Sequence, residues 1–279
     1  MTLELPGIFA CLAPSPLAAS RPRLWSHVVW RSSCRTGGGR PAAGIAARVA
    51  AAGAAVALYV RWVRPWLLTW GATREEITRG YPGDELIPDA DRAEFTMATT
   101  LPAAPEKVWA WLVQMGGDRA GFYSWDRLDH HGAPSADRIV PEWQHLQQGQ
   151  RLNSEPSGQN WMTAEVVEPD RTLVLRSTTA LPSGRSFDPQ TAPRPRVYLD
   201  GIWGFYLRPA PGGQTRLVVR TRGRSRPQPL MGAVGLVLLQ PLHFIMQTRQ
   251  FRNLHARVSA QPRTDRPPGT RRPGSVRLW

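Results

Sequence analysis

The amino-acid sequence predicts an α+β domain preceded by a hydrophobic helix. One strand is followed by two helices, then by several strands joined by short turns, and finally by a long apolar helix, an order typical of the α+β class. The strand segments alternate apolar and polar residues, as half-buried strands do. A nearly continuous apolar stretch stands ahead of these elements and is long enough for a separate helix.

The distribution of charge argues against a nucleic-acid partner. The 279 residues include 35 Lys and Arg against 21 Asp and Glu, a formal charge of +14. Residues 1–70 carry +7 and residues 259–279 carry +4, which leaves +3 for residues 71–258. A nucleic-acid-binding domain needs its cations on the folded face that meets phosphate. The excess here lies at the two ends of the chain instead.

The two ends of the chain are predicted to be disordered. Residues 1–40 are rich in Pro, Ser, Gly and Arg and show no hydrophobic period, and residues 259–279 form an Arg/Pro tail without core-forming content. Both cysteines, Cys11 and Cys34, fall in the first of these segments. A disulfide framework, a Cys-ligated zinc and a catalytic thiol are therefore excluded from the rest of the chain.

Residues 41–70 form a candidate membrane anchor. The stretch Ala42–Val60 is apolar except for Arg48, and its length suits the roughly 20 residues that a membrane helix requires. It is followed by two arginines and three tryptophans, which are typical of the membrane interface: Arg61, Arg64, Trp62, Trp66 and Trp70. This predicts membrane association with the remaining chain in the cytoplasm. The alternative is an Ala-rich helix packed on the domain.

Residues 71–93 contain Pro82, Gly83 and Pro88 and are predicted to be an extended connector. The domain itself is expected over 94–258. Its first strand begins near Phe95, where apolar and polar residues alternate. Pro105 opens the first helix, which Gly116 and Gly117 end, and a short second helix is expected over Ser124–His131.

The second half of the domain is predicted to be a meander followed by the long helix. The expected strands are Trp161–Val167, Thr172–Thr178, Trp203–Arg208 and Thr215–Arg222, with a long proline-rich loop over 181–196. In the last strand Arg216, Val218, Arg220 and Arg222 alternate with apolar residues, which predicts one solvent-exposed face. The final helix is expected over Leu230–Val258, kinked by Pro241.

Several segments resemble the START-like superfamily, also called SRPBCC, which includes polyketide cyclases and lipid-transfer domains. The first strand and helix carry LPAAPEKVWAWLVQMG at Leu101–Gly116, and two further segments read GFYSWD from Gly121 and ADRIVPEWQ from Ala136. RPW at Arg64, WGAT at Trp70 and PLHFIM at Pro241 are also similar to an uncharacterised bacterial subgroup. The resemblance covers about residues 61–258.

The resemblance implies a helix-grip fold, in which a curved antiparallel sheet wraps the long C-terminal helix around a cavity for apolar small molecules. Gln150 stands where an acidic residue is more usual in such relatives. This departure puts a metal or charge role at that turn in doubt. The subgroup itself supplies no chemistry to carry over.

The densest group of potential ligand side chains is Asp126, Asp129, His130 and His131. Asp126 and His130 would share a helix face, as in some metal sites. The two adjacent histidines, however, point about 100° apart on a helix. Charged side chains at the two ends of a short solvated helix explain the group better, because each complements the helix dipole. We therefore expect neither a metal nor a cofactor.

The candidate ligand-binding residues are mostly aromatic, since an apolar cavity is expected to have aromatic walls and few polar groups. A densely packed core is the alternative for the same aromatic residues. Tyr123, Arg138 or His243 would hold the polar end of the ligand, although Arg138 equally suits a loop-ordering ion pair and His243 a satisfied buried histidine. The full set is Trp109, Phe122, Tyr123, Trp125, Arg138, Trp143, Trp161, Trp203, Phe205 and His243.

The sequence thus predicts the binding or transport of a hydrophobic small molecule, such as a lipid or polyketide. The alternative is a cyclase- or dehydratase-like acid–base enzyme, which needs at least two titratable groups that converge in the cavity. His243, Asp126 and Glu165 are the candidates for those groups. Whether the protein is an enzyme stays open at this point, and no catalytic residue is assigned.

Overall fold

The computed structural model describes residues 40–90, 95–155, 157–191, 193–228 and 235–260. The predicted disordered segments lie outside these ranges, except for residues 40 and 259–260 at their inner ends. The beginning of the predicted final helix, up to residue 234, is also outside them. The chain divides into two units, Met1–Ala51 and Ala52–Trp279, and the second contains the sheet.

The central element is a curved sheet of six antiparallel strands in the order β1-β6-β5-β4-β3-β2. Short turns join β3 to β4 and β5 to β6, as their turn residues predict. β5 and β6 are the longest strands and pair along their whole length. The strands are β1 (Phe95–Leu101), β2 (Arg151–Asn153), β3 (Trp161–Glu168), β4 (Thr172–Ala180), β5 (Tyr198–Ala210) and β6 (Gln214–Arg226).

Along the chain, helices precede β1, lie between β1 and β2, and follow β6. The first, α1, continues through a π-helical turn (Tyr59–Val63) into α2, and another π-helical turn (Gly235–Leu239) precedes the last. Single 3-10 turns occur at Asp84–Leu86 and Pro141–Trp143. The α-helices are α1 (Arg40–Leu58), α2 (Arg64–Leu68), α3 (Arg74–Thr78), α4 (Pro105–Val113), α5 (Asp126–Asp129) and α6 (Gln240–Ser259).

This architecture is the helix-grip fold that the sequence predicts, and the element order is confirmed. Several bounds differ. β5 begins five residues earlier than Trp203, the short strand β2 was not predicted, and the second helix covers only Asp126–Asp129. The connector contains α3, whose Thr73 and Glu76 form a reciprocal capping box.

The core lies between the inner face of the sheet and helices α4 and α6. Leu173, Phe205 and Val219 lie opposite one another on β4, β5 and β6, and each is almost fully buried. From α6, Leu254 and Phe251 pack against the same cluster. The C-terminal half of α6 is thereby fixed to the sheet by apolar contact.

The outer face of the sheet is covered by the connector. A second apolar cluster joins Tyr81 and Ile87 to sheet residues that include Val218. Around it, ion pairs link the connector to strand β6, and the shortest of those described are Glu76–Arg216 (2.8 Å), Asp84–Arg220 (2.9 Å) and Asp89–Arg224 (2.7 Å). The hydrogen bond from Arg216 holds the pKa of Glu76 below its usual value. The prediction of a solvent-exposed face on this strand is therefore wrong, because the arginines meet acids of the connector.

We expect Asp84→Ala to destabilise the fold strongly. Arg220 is only 5% exposed, and the change would leave its guanidinium buried without the carboxylate. Breaking such a pair costs about 3 kcal/mol in the free energy of unfolding. Asp89→Ala is the matched control, because its side chain is 52% exposed and the loss should be about 0–1 kcal/mol. Equal losses in urea titrations of the two variants would contradict this account.

Candidate functional site

A cavity of about 820 Å³ lies between the inner face of the sheet and the N-terminal half of α6. Strands β3 to β6 form its floor, α6 forms one wall, and the segment before and within α5 forms another. Its volume is within the range of about 300–1,000 Å³ that is usual for small-molecule sites. The apolar and aromatic side chains in the lining are Phe95, Phe122, Met162, Leu175, Leu199, Ile202, Trp203, Leu239 and Met246.

Small side chains in the sheet leave this space open. Ser177, Gly201 and Gly223 lie side by side on β4, β5 and β6 and line the cavity, and the next row includes Thr179 and Ser225. In the opposite direction along the strands, two inward-facing rows from Ser177, Gly201 and Gly223, the corresponding positions hold the large side chains of Leu173, Phe205 and Val219. The sheet therefore packs densely against the C-terminal half of α6 and recedes from its N-terminal half.

A chain of hydrogen bonds holds α6 in this position. The indole Nε1 of Trp203 donates to Gln247 (3.3 Å), Gln247 donates to Gln250 (2.8 Å), and Gln250 donates to the carbonyl of Phe122 (2.9 Å). Gln247 and Gln250 are 2% and 1% exposed. Because buried amides are costly without partners, this arrangement fixes the distance of the helix from β5 and from the Phe122 segment.

Asp129 is the acidic residue in the lining. Both of its carboxylate oxygens are buried and have no hydrogen-bond partner within the described part of the chain. The neighbouring Ser124 hydroxyl donates to the carbonyl of Met246 (3.1 Å), and it and the backbone favour the ionised form of Asp129 only weakly. Burial, reinforced by the charge of Asp126, raises the pKa of Asp129 to about 6. A carboxyl group that titrates near neutrality thus faces an apolar cavity.

Basic side chains also line the cavity. Arg64, at the start of α2, donates from Nε to the side-chain oxygen of Gln240 (2.9 Å) at the first turn of α6. His243 lies one turn further along, with its ring 4.3 Å from that of Phe95. Arg222 also contributes to the lining, but its guanidinium donates to the carbonyl of Ile87 on the outer face. The cavity therefore has Arg64 and His243 near the N-terminus of α6 and the carboxyl group of Asp129 on another wall.

The structure places three of the sequence-predicted ligand residues in the lining: Phe122, Trp203 and His243. Phe205 lies directly behind Trp203, with ring centroids 4.8 Å apart, and is completely buried. It supports the wall without reaching the cavity.

The other candidates lie elsewhere because their local packing turns them away. Trp109 and Tyr123 belong to the densely packed core, and the Tyr123 hydroxyl donates to the carbonyl of Trp111 (3.0 Å). Trp125 is 46% exposed beside Arg249, and Arg138 is exposed. The remaining two stack with arginines at the surface: Trp143 with Arg119 and Trp161 with Arg151.

Sequence reasoning missed Asp129 as a cavity residue. It belongs to the cluster that was weighed as a metal site, and no group of three metal-ligating side chains occurs among the described residues. Within that cluster Asp126 accepts from Ser135 (2.6 Å) and His130 bonds the carbonyl of Ala133 (2.7 Å). The signal for Gln247 and Gln250 was their i,i+3 spacing, which places them on the same face of the helix as the core residues Phe251 and Leu254.

No family model and no curated protein matches this chain. Solved structures that match include a Mesorhizobium loti protein (19% identity, covering 62% of this chain and 98% of that chain, TM-score 0.36). Ara h 8.0201 matches at 15% identity over 58% of this chain and 97% of its own, with a TM-score of 0.31. DynU16, from the dynemicin biosynthetic locus, matches at 14% over 58% and 46%, with a TM-score of 0.33. These likenesses are coarse, and the fold assignment rests on the observed sheet and helix.

We expect Asp129→Asn to stabilise the protein at neutral pH and not in acid. The raised pKa means that the folded state holds the proton more tightly than the unfolded chain does. Wild-type stability should therefore fall as the pH rises from about 4 to about 6, a loss that asparagine avoids. The variant should gain about 1 kcal/mol at pH 7.5, because partial exposure reduces the effect, and nothing near pH 3.5.

Calorimetric unfolding across this pH range measures the difference. Asp126→Asn is the control, because its carboxylate is already hydrogen-bonded to Ser135 and its loss should bring no comparable gain. A destabilised Asp129→Asn protein at pH 7.5 would show that the carboxylate has a stabilising partner.

Proposed function

We propose that this chain binds an apolar small molecule, such as a lipid or a polyketide, in the cavity between the sheet and α6. The observation that carries the proposal is the cavity itself: about 820 Å³, with a lining that exposes more apolar than polar surface, in a domain whose core is otherwise closely packed. The ligand-binding domain would comprise residues 94–258. The sequence motifs further support membership of the START-like superfamily.

Binding would be driven by removing apolar surface from water. Transfer of such surface contributes about 25 cal/mol per Å², so a ligand that buries a few hundred Å² gains several kcal/mol before its loss of freedom is counted. The walls are held in place without the ligand, because Trp203 and Gln247 are already hydrogen-bonded to each other. A cavity that is organised beforehand loses little entropy on binding.

A second candidate function is acid–base catalysis on a polyketide-type substrate. The observation in its favour is that Asp129, with a pKa of about 6, and His243 line the same cavity. Of the other sequence candidates, Asp126 is engaged by Ser135, and Glu165 is not part of the lining. The two functions can be separated by the molecule that co-purifies with the protein. If the protein is an enzyme and Asp129→Asn inactivates it, the variant should retain unreacted substrate, whose mass differs from that of the molecule bound to the wild-type protein.

We also propose that the N-terminal helix anchors the protein in a membrane, with the rest of the chain in the cytoplasm. One helix of the described residues, Gly44–Leu68, is long and apolar enough to cross a bilayer, properties that a core helix or a signal sequence can share. Its residues from 44 to 58 are exposed, unlike those of a core helix.

The arginines of β6 bond to connector groups and form no free basic face, which supports the expectation that nucleic acid is not a partner.

An exposed apolar stripe on the last helix supports the same proposal. Leu238, Leu242 and Ile245 have spacings of four and three residues and are 60%, 37% and 48% exposed. Trp66, itself 55% exposed, contacts the neighbouring Phe244 with ring centroids 5.2 Å apart. The stripe therefore lies beside the end of the candidate anchor, where a bilayer surface would cover it.

We expect Met246→Trp to obstruct the cavity and to reduce ligand occupancy several-fold. Met246 lines the cavity, and the larger indole would occupy part of its volume. The full-length protein is purified, and the bound molecule is extracted and quantified by mass spectrometry. Ile245→Trp is the matched control, because that side chain points outward from the same helix turn and should leave occupancy unchanged.

The apolar fluorescent probe pyrene provides a second readout for the same variants. If the wild-type protein is consistently empty, and if the Met246→Trp and Ile245→Trp proteins take up equal amounts of pyrene, the cavity is not a binding site.

Replacing two exposed residues of the candidate anchor should release the protein from membranes. Val49 and Val56 are 66% and 58% exposed, and two arginines at these positions would cost about 5–7 kcal/mol in a bilayer-spanning helix. Wild type and a Val49→Ile, Val56→Ile control should remain in the pellet after alkaline carbonate extraction, whereas the arginine variant should be soluble. Release of the wild-type protein by carbonate would refute the anchor.

A further inference from the structure

The cavity contains one charged group whose bonding is incomplete. Both carboxylate oxygens of Asp129 are inaccessible to solvent and lack a hydrogen-bond partner within the described residues. A buried carboxylate normally has several such partners, since its desolvation is otherwise costly. Asp129 also lines the cavity, so a molecule in the cavity can reach the place where a partner is missing.

Several other hydrogen-bonding side chains of the cavity lining already bond within the protein. Gln247 and Gln250 bond to Trp203, to each other and to the Phe122 carbonyl. Ser124 donates to the Met246 carbonyl, and Arg64 donates to Gln240. The bonds from Trp203 to Gln247, from Gln250 to Phe122 and from Ser124 to Met246 connect α6 to the rest of the domain, so a ligand that replaced one of them would cost the protein a contact. Asp129 can accept a hydrogen bond from a ligand without such a loss.

We infer that Asp129 is the polar anchor of the cavity, and that the ligand is an apolar molecule carrying a hydrogen-bond donor, either an amine or a hydroxyl group. This inference rests on the proposed function. The apolar body would lie along Trp203, Leu175 and Met246, and the donor group would bond the Asp129 carboxylate. A ligand whose polar group is only an acceptor would leave the carboxylate desolvated and unpaired.

The charges around Asp129 favour a donor over an anion. Asp126 and His130 flank it on its own segment, and His243 and Arg64 lie on other walls of the cavity. The charge of Asp126 and burial both oppose ionisation of Asp129, so its pKa is raised to about 6. An ammonium group would counter both effects, because a positive charge close to a carboxylate favours the ionised form. Binding of an amine should therefore weaken as the pH falls below about 6.

Three probes with one skeleton test the inference: 1-pyrenemethylamine, 1-pyrenemethanol and 1-(methoxymethyl)pyrene. The last retains the oxygen and lacks the donor. Full-length protein is reconstituted in nanodiscs of zwitterionic lipid, and dissociation constants are measured by equilibrium dialysis after subtraction of uptake by empty nanodiscs. At pH 7.5 we expect the amine and the alcohol to bind at least about tenfold more tightly than the ether, a difference typical of one charge-assisted hydrogen bond.

Two substitutions of Asp129 and one control substitution identify the group that is responsible for the preference for the amine and the alcohol over the ether. Asp129→Leu should remove the preference for both donors, whereas Asp129→Asn should mainly weaken the amine, because an amide oxygen still accepts from an alcohol. Asp126→Asn changes the neighbouring carboxylate and should preserve the preference. Its amine binding should also persist to lower pH than in wild type, since a like charge next to Asp129 has been removed. Circular dichroism confirms that each variant is folded.

The outcomes separate this inference from the function on which it rests. If all three pyrenes bind equally to wild type, or if Asp129→Leu retains the preference, Asp129 is not the anchor although the cavity binds apolar molecules. If only the amine is preferred, the ligand class is narrowed to cationic amphiphiles, and if both donors are preferred, hydroxylated molecules are included. If none of the probes binds beyond empty nanodiscs, the proposed function and this inference both fail.

Discussion

The cavity depends on how α6 is attached to the sheet. Its C-terminal half is fixed by Phe251 and Leu254, which are buried in the core. Its N-terminal half faces the row Ser177, Gly201 and Gly223, where the sheet offers no large side chains to meet it. The side chains of the sheet become smaller from the C-terminal half of α6 toward its N-terminal half. Because the helix is held at its C-terminal half, a wedge-shaped space remains between the helix and the sheet. The hydrogen bonds of Gln247 and Gln250 keep that wedge from closing, because closure would strand buried amides.

The two faces of the sheet differ in how their polar groups are paired. On the outer face the charged groups pair with one another, as Arg216 does with Glu76 and Arg220 with Asp84, and they bind the connector to the domain. On the inner side the amides of Gln247 and Gln250 are paired, whereas the carboxyl group of Asp129 has no hydrogen-bond partner among the described residues. Stability alone would favour a neutral residue at this position. A costly group in a cavity is better explained by a ligand that it serves than by a contribution to folding.

Local patterns in the sequence were sufficient for the α+β element order, because strand alternation and turn residues act over a few positions, and the helix-grip fold came from the resemblance to the START-like superfamily. They were insufficient for the site, which depends on register. That Ser177, Gly201 and Gly223 are neighbours follows from pairing across three strands, and no single segment reveals it. Tryptophan content pointed to aromatic walls but could not separate Trp203, which lines the cavity, from Trp109, which fills the core.

A crystal structure of the full-length protein, purified without added ligand, tests the separation of α6 from the sheet most directly. We expect electron density for an apolar guest between Met246 of the helix and Trp203 of the sheet, with both side chains in contact with it. If Met246 instead packs directly on Trp203 and Leu175, with no space between helix and sheet, the protein has no room for a guest.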